Sequence, residues 1–159
     1  MAVTRVGLGF AAHPFSDDPS RPLVLGGVHL PGDRGLAGHS DADVVAHAVA
    51  DALLGACGLG DLGEHFPDTD PVWAGADSLA ILSGVVSLVG DAGWSPGNVD
   101  CTVVLEAPKL SPHRAEMARI LTGVVGADVG VKATRAEGLG AIGRGEGVAC
   151  WAVALLERT

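Results

Sequence analysis

The segment AGHSDADVVAH, at residues 37–47, places two histidines and two aspartates immediately before an apolar stretch. If this segment opens a helix, Asp43 and His47 lie four residues apart and share one face of it. His39 then lies just outside the N-terminus, where free N–H groups and the helix dipole favour an anion such as a phosphate. The segment therefore predicts an anion site beside a metal ligand. The structural alternative is equally open: His39 and Asp43 only cap the helix, and His47 is a half-buried, hydrogen-bonded side chain.

Further segments carry residue types that suit phosphate, sugar or metal chemistry. His13 ends the first predicted strand and supplies half of a zinc site only if the fold brings it to His47; otherwise it is structural or exposed. The carboxylates of loop 58–71 either close Asx turns or accept hydrogen bonds from polyol hydroxyls. Segment 105–112 offers backbone contacts to a base, with a lysine near a phosphate. The glycine-rich segment 132–147 can cradle phosphates and hold a magnesium ion, although it has no Walker GK[ST].

Hydrophobic periodicity predicts an α/β (α+β) fold, in which helices pack on one face of a mixed β-sheet and a β-hairpin is added. Gly26 and Gly27, between two short apolar runs, indicate the hairpin. The final strand is too apolar for an exposed edge, so it is buried on both faces or faces a partner chain. The predicted strands cover residues 4–13, 22–30, 99–108, 129–134 and 147–157, and the predicted helices cover about 41–56 and begin again near residues 77 and 111.

The start of each helix is predicted from its capping residues. Ser40, followed three residues later by Asp43, fits a capping box for the first helix. Asp77 or Ser78 caps the second helix, and Ser111 caps the third. These starts decide which side chains face the predicted site.

Composition bounds the class of protein. A length of 159 residues suits one domain, residues 1–159. The net charge of −9 disfavours nucleic-acid partners, because phosphate backbones need clustered Lys and Arg, but a small phosphorylated ligand stays open. No apolar run reaches membrane-span length and the N-terminus lacks signal-peptide features, so we expect a cytoplasmic protein with no membrane partner. Cys57, Cys101 and Cys150 are expected to be buried free thiols.

Several stretches together resemble one known family, the 2-C-methyl-D-erythritol 2,4-cyclodiphosphate synthases of the non-mevalonate (MEP) isoprenoid pathway. The resemblance covers about residues 4 to 157 and is carried, in order, by RVGLGFAAHPF, AGHSDADVVAH, GDLGEHFPDTDP, VDCTVVLEAPKLSPH and VKATRAEGLGAIGRGEGVA. It implies a homotrimer with active sites between subunits. It also implies a phosphorus–oxygen lyase that converts 4-diphosphocytidyl-2-C-methyl-D-erythritol 2-phosphate to the cyclic diphosphate and releases CMP.

The resemblance also implies a role for each site residue. Zinc is held by His13 and His47, and a second divalent ion, magnesium or manganese, is held by Glu137. Asp61 binds the ribose hydroxyls of the small-molecule diphosphocytidyl substrate, and the segment Leu105–Ser111 holds its cytosine. The catalytic residues so implied are His39, Thr134 and Arg135, and the substrate-binding residues are Ser40, Asp61, Leu62, Gly63, Phe66, Pro67, Asp68, Thr69, Asp70, Leu105, Glu106, Ala107, Pro108, Lys109, Leu110, Ser111, Ala141 and Arg144.

The sequence departs from the family pattern at three positions. Ala11 stands where the family has a metal-binding Asp, Arg135 replaces a Thr that contacts phosphate, and Ala141 replaces a bulky aromatic residue. Loss of one carboxylate among three protein ligands predicts a weakened zinc site. We therefore favour a working synthase with an altered metal site, and keep as the alternative a catalytically weakened homologue that binds cytidine nucleotide or isoprenoid diphosphate. A third reading, a metal-dependent phosphohydrolase, would need a positioned water and a full metal shell.

Overall fold

The computed structural model describes residues 1–158. Four strands form the main sheet, and two short strands form a separate hairpin. In chain order the elements are β1 (Val3–Pro14), β2 (Leu23–Leu25), β3 (Val28–Leu30), α1 (Val44–Cys57), α2 (Leu62–His65), a 3₁₀ turn (Pro71–Trp73), α3 (Ser78–Asp91), β4 (Ser95–Val104), α4 (Arg114–Val125), β5 (Asp128–Thr134), α5 (Gly140–Gly143) and β6 (Gly147–Arg158).

The main sheet has the order β1-β6-β4-β5, with two antiparallel pairings and one parallel pairing between β4 and β5. Helices α1 and α4 pack on one face of it, and α3 packs against both helices. The predicted fold class is confirmed. Of the two alternatives for β6, burial on both faces does not hold within the single chain, because Trp151 and Val153 alternate with buried residues and stay 44% and 45% exposed. The other alternative, that β6 faces a partner chain, stays a prediction.

Helix α1 packs against strand β1 with almost no side-chain volume between the two backbones. Gly7 and Gly9 lie on the face of β1 that meets the helix, and a methyl group on Gly9 would lie 2.6 Å from the backbone nitrogen of Ala52. On the helix, the buried Ala48, Ala52 and Ala56 recur every fourth residue and so line one face. Small residues on both elements are what permit this approach, and it brings the first turns of α1 over the end of β1.

The start of α1 differs from the predicted capping box. The N-cap is Asp43 rather than Ser40, and its buried carboxylate accepts hydrogen bonds from two N–H groups of the first helical turn. The same carboxylate accepts the N–H of Gly26 at 2.9 Å and of Gly27 at 2.7 Å, in the turn of the β2–β3 hairpin. Burial raises the pKa of Asp43 to about 6, against the opposing effect of these donors. Asp43 therefore joins the hairpin to the helix.

The predicted N-cap is correct for α3 and wrong for α4. Asp77 caps α3 as predicted, with its carboxylate accepting the N–H of Leu79 at 2.9 Å. The prediction that Ser111 caps α4 is wrong: the N-cap is His113, which makes no side-chain cap hydrogen bond. Residues 111–113 form a turn, in which the His113 N–H donates to the carbonyl of the buried Leu110 at 2.8 Å. This turn delays the helix by two residues.

The structure also bears on the predictions from composition. Cys57, Cys101 and Cys150 are buried and free, as expected. Within residues 1–158, no helix combines the length and the hydropathy that crossing a membrane requires.

The close approach of α1 to β1 can be tested with two glycine substitutions of opposite expected sign. Gly9→Ala should lower the free energy of unfolding by about 3 kcal/mol or more, because the added methyl overlaps backbone atoms that cannot move aside cheaply. Gly123→Ala, in the interior of α4 with open space around it, should raise that free energy by about 0.5–1 kcal/mol. Chemical denaturation of both variants measures the difference. Equal effects of the two substitutions would contradict the packing argument.

Candidate active site

The centre of the candidate site is a pair of histidines. His13 is the last residue but one of β1, and His47 lies in the first turn of α1. His13 Nε2 is 3.2 Å from His47 Nδ1. The rings meet edge to face, with centroids 5.4 Å apart. Zinc holds imidazole nitrogens at roughly 2.0–2.1 Å with near-tetrahedral angles, which puts two such nitrogens about 3.3 Å apart. The pair therefore fits two ligands of one zinc ion.

Both histidines are neutral at neutral pH. Burial, together with the smaller effect of the neighbouring His13, lowers the pKa of His47 to about 4. Burial also lowers the pKa of His13, although a hydrogen bond to the backbone carbonyl of Ala37 opposes that effect. A metal needs unprotonated imidazole nitrogens, so this environment suits metal binding.

Among residues 1–158, no third metal-ligating side chain joins the pair. Ala11 lies on the same face of β1 as His13, and it lines a cavity of about 350 Å³ with His13, His47, Asp51 and Asp61. No group of three or more His, Cys, Asp and Glu side chains in the described part of the chain is arranged to hold a metal. A zinc ion on this pair would take its other ligands from water or phosphate oxygens.

The sequence analysis missed two residues that line cavities at the histidine pair, Asp51 and Trp73. Asp51 follows His47 by four residues in α1, a spacing that predicts a shared helix face and could have identified it. Its carboxylate accepts the N–H of Leu62 at 3.3 Å and so holds α2 against α1. Trp73 packs edge to face on Phe66 with ring centroids 4.9 Å apart, and only its rarity in an aromatic-poor chain could have marked it.

A second cavity, of about 430 Å³, opens beside the histidine pair. It brings together many of the predicted site residues from β1, α1, α2 and the loop after α2. Asp68, in the FPDTDP loop, lines this cavity. Asp61 instead lines the 350 Å³ cavity that includes Ala11. Its lining residues are His13, Gly38, His39, Ser40, His47, Leu62, Gly63, Phe66, Asp68, Trp73 and Ile81.

Loop contacts explain how several of these side chains are held. Asp61 caps α2, with its carboxylate accepting the Glu64 N–H at 3.0 Å. Asp70 caps the 3₁₀ turn through the N–H of Val72, and its carbonyl oxygen lies 2.9 Å from His39 Nε2. The turn-forming interpretation of these carboxylates is therefore correct for Asp70, and Asp61 keeps its second carboxylate oxygen for other partners.

The start of α1, where the sequence predicts an anion site, is capped from within the chain, and the anion site itself stays a prediction. The carboxylate of Asp43 already accepts the N–H groups of Val45 and Ala46, so the helix dipole is met by a buried side chain of the same chain. His39 and Ser40 line the cavity beside this helix start.

The segment after β4 lines a separate cavity of about 530 Å³, together with the end of β5. Arg135 Nη2 lies 3.2 Å from Glu106 Oε2, and Glu106 Oε1 accepts the Ala136 N–H at 2.7 Å. Arg135 thus pairs with Glu106 within the chain, and its side chain is 65% exposed. The lining residues are Leu105, Glu106, Pro108, Lys109, Leu110, Ser111, Arg114, Ala133, Thr134 and Arg135.

The two groups of site residues do not meet within one chain. Among the residues that line the histidine cavities, none also lines the cavity at Arg135. Glu137 is exposed, and Arg144 Nε pairs with Glu146 at 2.8 Å. Predicted residues that line neither the 430 Å³ cavity nor the 530 Å³ cavity are Asp61, Pro67, Thr69, Asp70, Ala107, Glu137, Ala141 and Arg144.

Fold and site define an α+β protein that carries a histidine pair spaced for one metal ion, with a second, cationic cavity elsewhere on the chain. A family model described as the YgbB family matches residues 4–157. The chain belongs to this family, and the resemblance seen in the sequence is confirmed.

Individual relatives match over nearly the whole chain. The 2-C-methyl-D-erythritol 2,4-cyclodiphosphate synthase of Salinibacter ruber is 57% identical over 157 residues, which cover 96% of this chain and 98% of the relative. The solved structure of the bifunctional IspDF from Campylobacter jejuni is 38% identical with a TM-score of 0.94, and the match covers 100% of this chain and 43% of that one. The CDP complex of IspF from Plasmodium falciparum is 31% identical with a TM-score of 0.82, covering 96% and 95% of the two chains.

Proposed function

We propose that this chain converts 4-diphosphocytidyl-2-C-methyl-D-erythritol 2-phosphate to 2-C-methyl-D-erythritol 2,4-cyclodiphosphate and releases CMP. The observation that carries the proposal is the 3.2 Å separation of the His13 and His47 nitrogens, beside a cavity built from the family's motif residues. The 57% identical relative bears the name of this synthase. The comparisons lend no support to the alternative of a catalytically weakened binding protein.

The proposed reaction needs no protein nucleophile, because a phosphate oxygen of the substrate attacks the β-phosphorus and CMP leaves. The protein must fold the substrate for ring closure and offset crowded negative charge. Zinc on His13 and His47, and magnesium or manganese on Glu137, would supply positive charge and Lewis acidity when bound. His39 and Ser40 line the cavity beside the pair and would contact the phosphate.

We assign the nucleotide end of the substrate to the cationic 530 Å³ cavity at Arg135. Segment Leu105–Ser111 would hold the cytosine there, and Thr134 and Arg135 would contact the diphosphate. Lys109 and Arg114 line the same cavity and add positive charge. The carboxylate of Asp61, at the histidine cavity of a neighbouring subunit, would accept the two ribose hydroxyls.

A homotrimer would join the two halves. Each chain carries a histidine cavity and a cationic cavity that share no lining residue, so a complete site needs a second copy. The free face of the sheet supports the same assembly, because it exposes a patch of large apolar side chains. They are Val6, Leu8, Phe10, Trp151 and Val153, between 44% and 67% exposed. We also propose one domain over residues 1–159 and a cytoplasmic location, which the three free thiols support.

Nucleotide binding should depend on the Asp61 carboxylate. Asp61→Ala should weaken CDP binding by about 1.5–3 kcal/mol, the range for hydrogen bonds to a charged group. Calorimetry measures the loss, with Asp91→Ala, an exposed carboxylate at the end of α3, as the control. Unchanged affinity in Asp61→Ala would remove this residue from the site.

Assembly should depend on the apolar sheet face. Leu8→Glu puts a charge in this patch and should give monomers without CMP release, because the site halves then separate. Val72→Glu alters a side chain of the same exposure, 69% against 66%, in the 3₁₀ turn outside the sheet, and should leave assembly intact. Light scattering after gel filtration gives the masses. A monomeric wild-type chain at micromolar concentration would contradict the trimer.

The activity itself is tested by CMP release with defined zinc and magnesium concentrations. Wild-type protein should turn over, and His47→Ala should not. Ala11→Asp should tighten zinc binding by about tenfold or more, because it adds a charged ligand to an incomplete shell. It should raise CMP release when zinc is limiting. A wild-type chain that binds both zinc and CDP and yet releases no CMP would refute the proposed function.

A further inference from the structure

The second nitrogen of the His47 ring is held by a buried polar network outside the proposed ligand set. His47 Nε2 lies 2.8 Å from the hydroxyl oxygen of Ser78, the first residue of α3. Ser78 is 1% exposed, and its hydroxyl is hydrogen-bonded to the carboxylate of Asp41. Ser40 Oγ is a more distant neighbour, 3.2 Å from the same nitrogen.

The direction of each hydrogen bond follows from what the groups can do. An ionised carboxylate only accepts, so the single hydroxyl hydrogen of Ser78 points to Asp41. The Ser78 oxygen can then only accept from His47, which places a hydrogen on Nε2. A neutral imidazole with hydrogen on Nε2 carries its lone pair on Nδ1. Nδ1 is the nitrogen that faces His13 across 3.2 Å.

Asp41 is itself fixed by the backbone. One of its oxygens accepts the Asp43 N–H at 3.1 Å and the other accepts the Ser78 N–H, also at 3.1 Å. Both oxygens are therefore directed, and the carboxylate cannot turn away from the hydroxyl without leaving a backbone donor unpaired. This arrangement links the start of α1 to the start of α3.

We propose that Ser78 and Asp41 are positioning residues that select the Nε2–H tautomer of His47 and so aim its Nδ1 lone pair at the metal position between His47 and His13. The histidines and the cavity belong to the proposed function; these two residues act behind them. His13 presents Nε2 to the same space while its ring is hydrogen-bonded to the Ala37 carbonyl. Two lone pairs that face each other repel, and a cation between them removes the repulsion. The network thus favours metal binding even with Ala11 in place of a carboxylate.

The experiment measures the tautomer directly in metal-free, full-length protein. Long-range ¹H–¹⁵N spectra of histidine-labelled protein should give His47 a protonated Nε2 and an unprotonated Nδ1, with His47→Gln used to assign the signals. Ser78→Ala should mix the two tautomers and weaken zinc binding about 10–100-fold in a chelator competition, the usual cost of removing such a partner. Ser78→Thr keeps the hydroxyl and should stay close to wild type in both measurements.

Ser87→Ala provides the matched control, because Ser87 lies on the exposed face of the same helix. It should change neither the tautomer nor the zinc affinity. A wild-type His47 protonated on Nδ1, or a folded Ser78→Ala variant with wild-type tautomer and zinc affinity, would overturn the inference. The zinc measurement rests on the proposed function, but the tautomer does not. If the tautomer and zinc results are as expected and CMP release is absent, the synthase proposal fails and the positioning role of Ser78 and Asp41 is supported.

Discussion

The direct contact between the backbones of α1 and β1 is the constraint on which the site depends. Gly7 and Gly9 remove side chains from the strand, and the alanines of α1 leave only methyl groups on the helix. Such a contact has little side-chain freedom to lose and cannot slide without backbone overlap. His13 lies on the same face of β1 beyond these glycines, and His47 lies directly before Ala48 in α1, so the main chain sets the spacing of their nitrogens. A site that must hold a metal with few protein ligands benefits from this rigidity.

Burying the Asp43 carboxylate costs free energy, and the hydrogen bonds that it accepts from four backbone N–H groups offset this cost. A buried carboxylate loses its hydration, and the pKa raised to about 6 reflects that loss. In return, Asp43 closes the first turn of α1 and fixes the turn at Gly26 and Gly27. Because Asp43 already accepts two N–H groups of the first turn of α1, a phosphate beside this helix would depend more on side chains and metal ions for positive charge.

The order and types of the strands and of the three long helices could be predicted from the sequence, because period and turn residues report local structure. The short α2, 3₁₀ turn and α5 were not predicted, and the strand expected over 99–108 begins at Ser95. The failures concern hydrogen bonds made over long sequence distances. Ser40 and Asp43 fit a capping box by spacing, with Ser40 as the N-cap. The N-cap is instead Asp43, whose carboxylate also accepts the N–H groups of Gly26 and Gly27. No local sequence pattern links these two glycines to Asp43. The pairing of His13 with His47 needed the family resemblance. Nothing in the sequence identifies Ser78 as a site residue, because serine is a common residue at the start of a helix.

The distribution of charge explains why a strongly acidic chain can handle a substrate with several phosphates. The chain has 10 Lys and Arg residues against 19 Asp and Glu residues, yet Lys109, Arg114 and Arg135 all line one cavity. Glu106 pairs with Arg135 from within that cavity, so the guanidinium is oriented before a ligand arrives. The histidine cavity differs from the cationic cavity, because its two imidazoles are neutral. Positive charge there would have to come from a bound ion. Bringing the two cavities together between subunits would place fixed cations opposite a metal-dependent centre, and neither half alone would neutralise a crowded diphosphate.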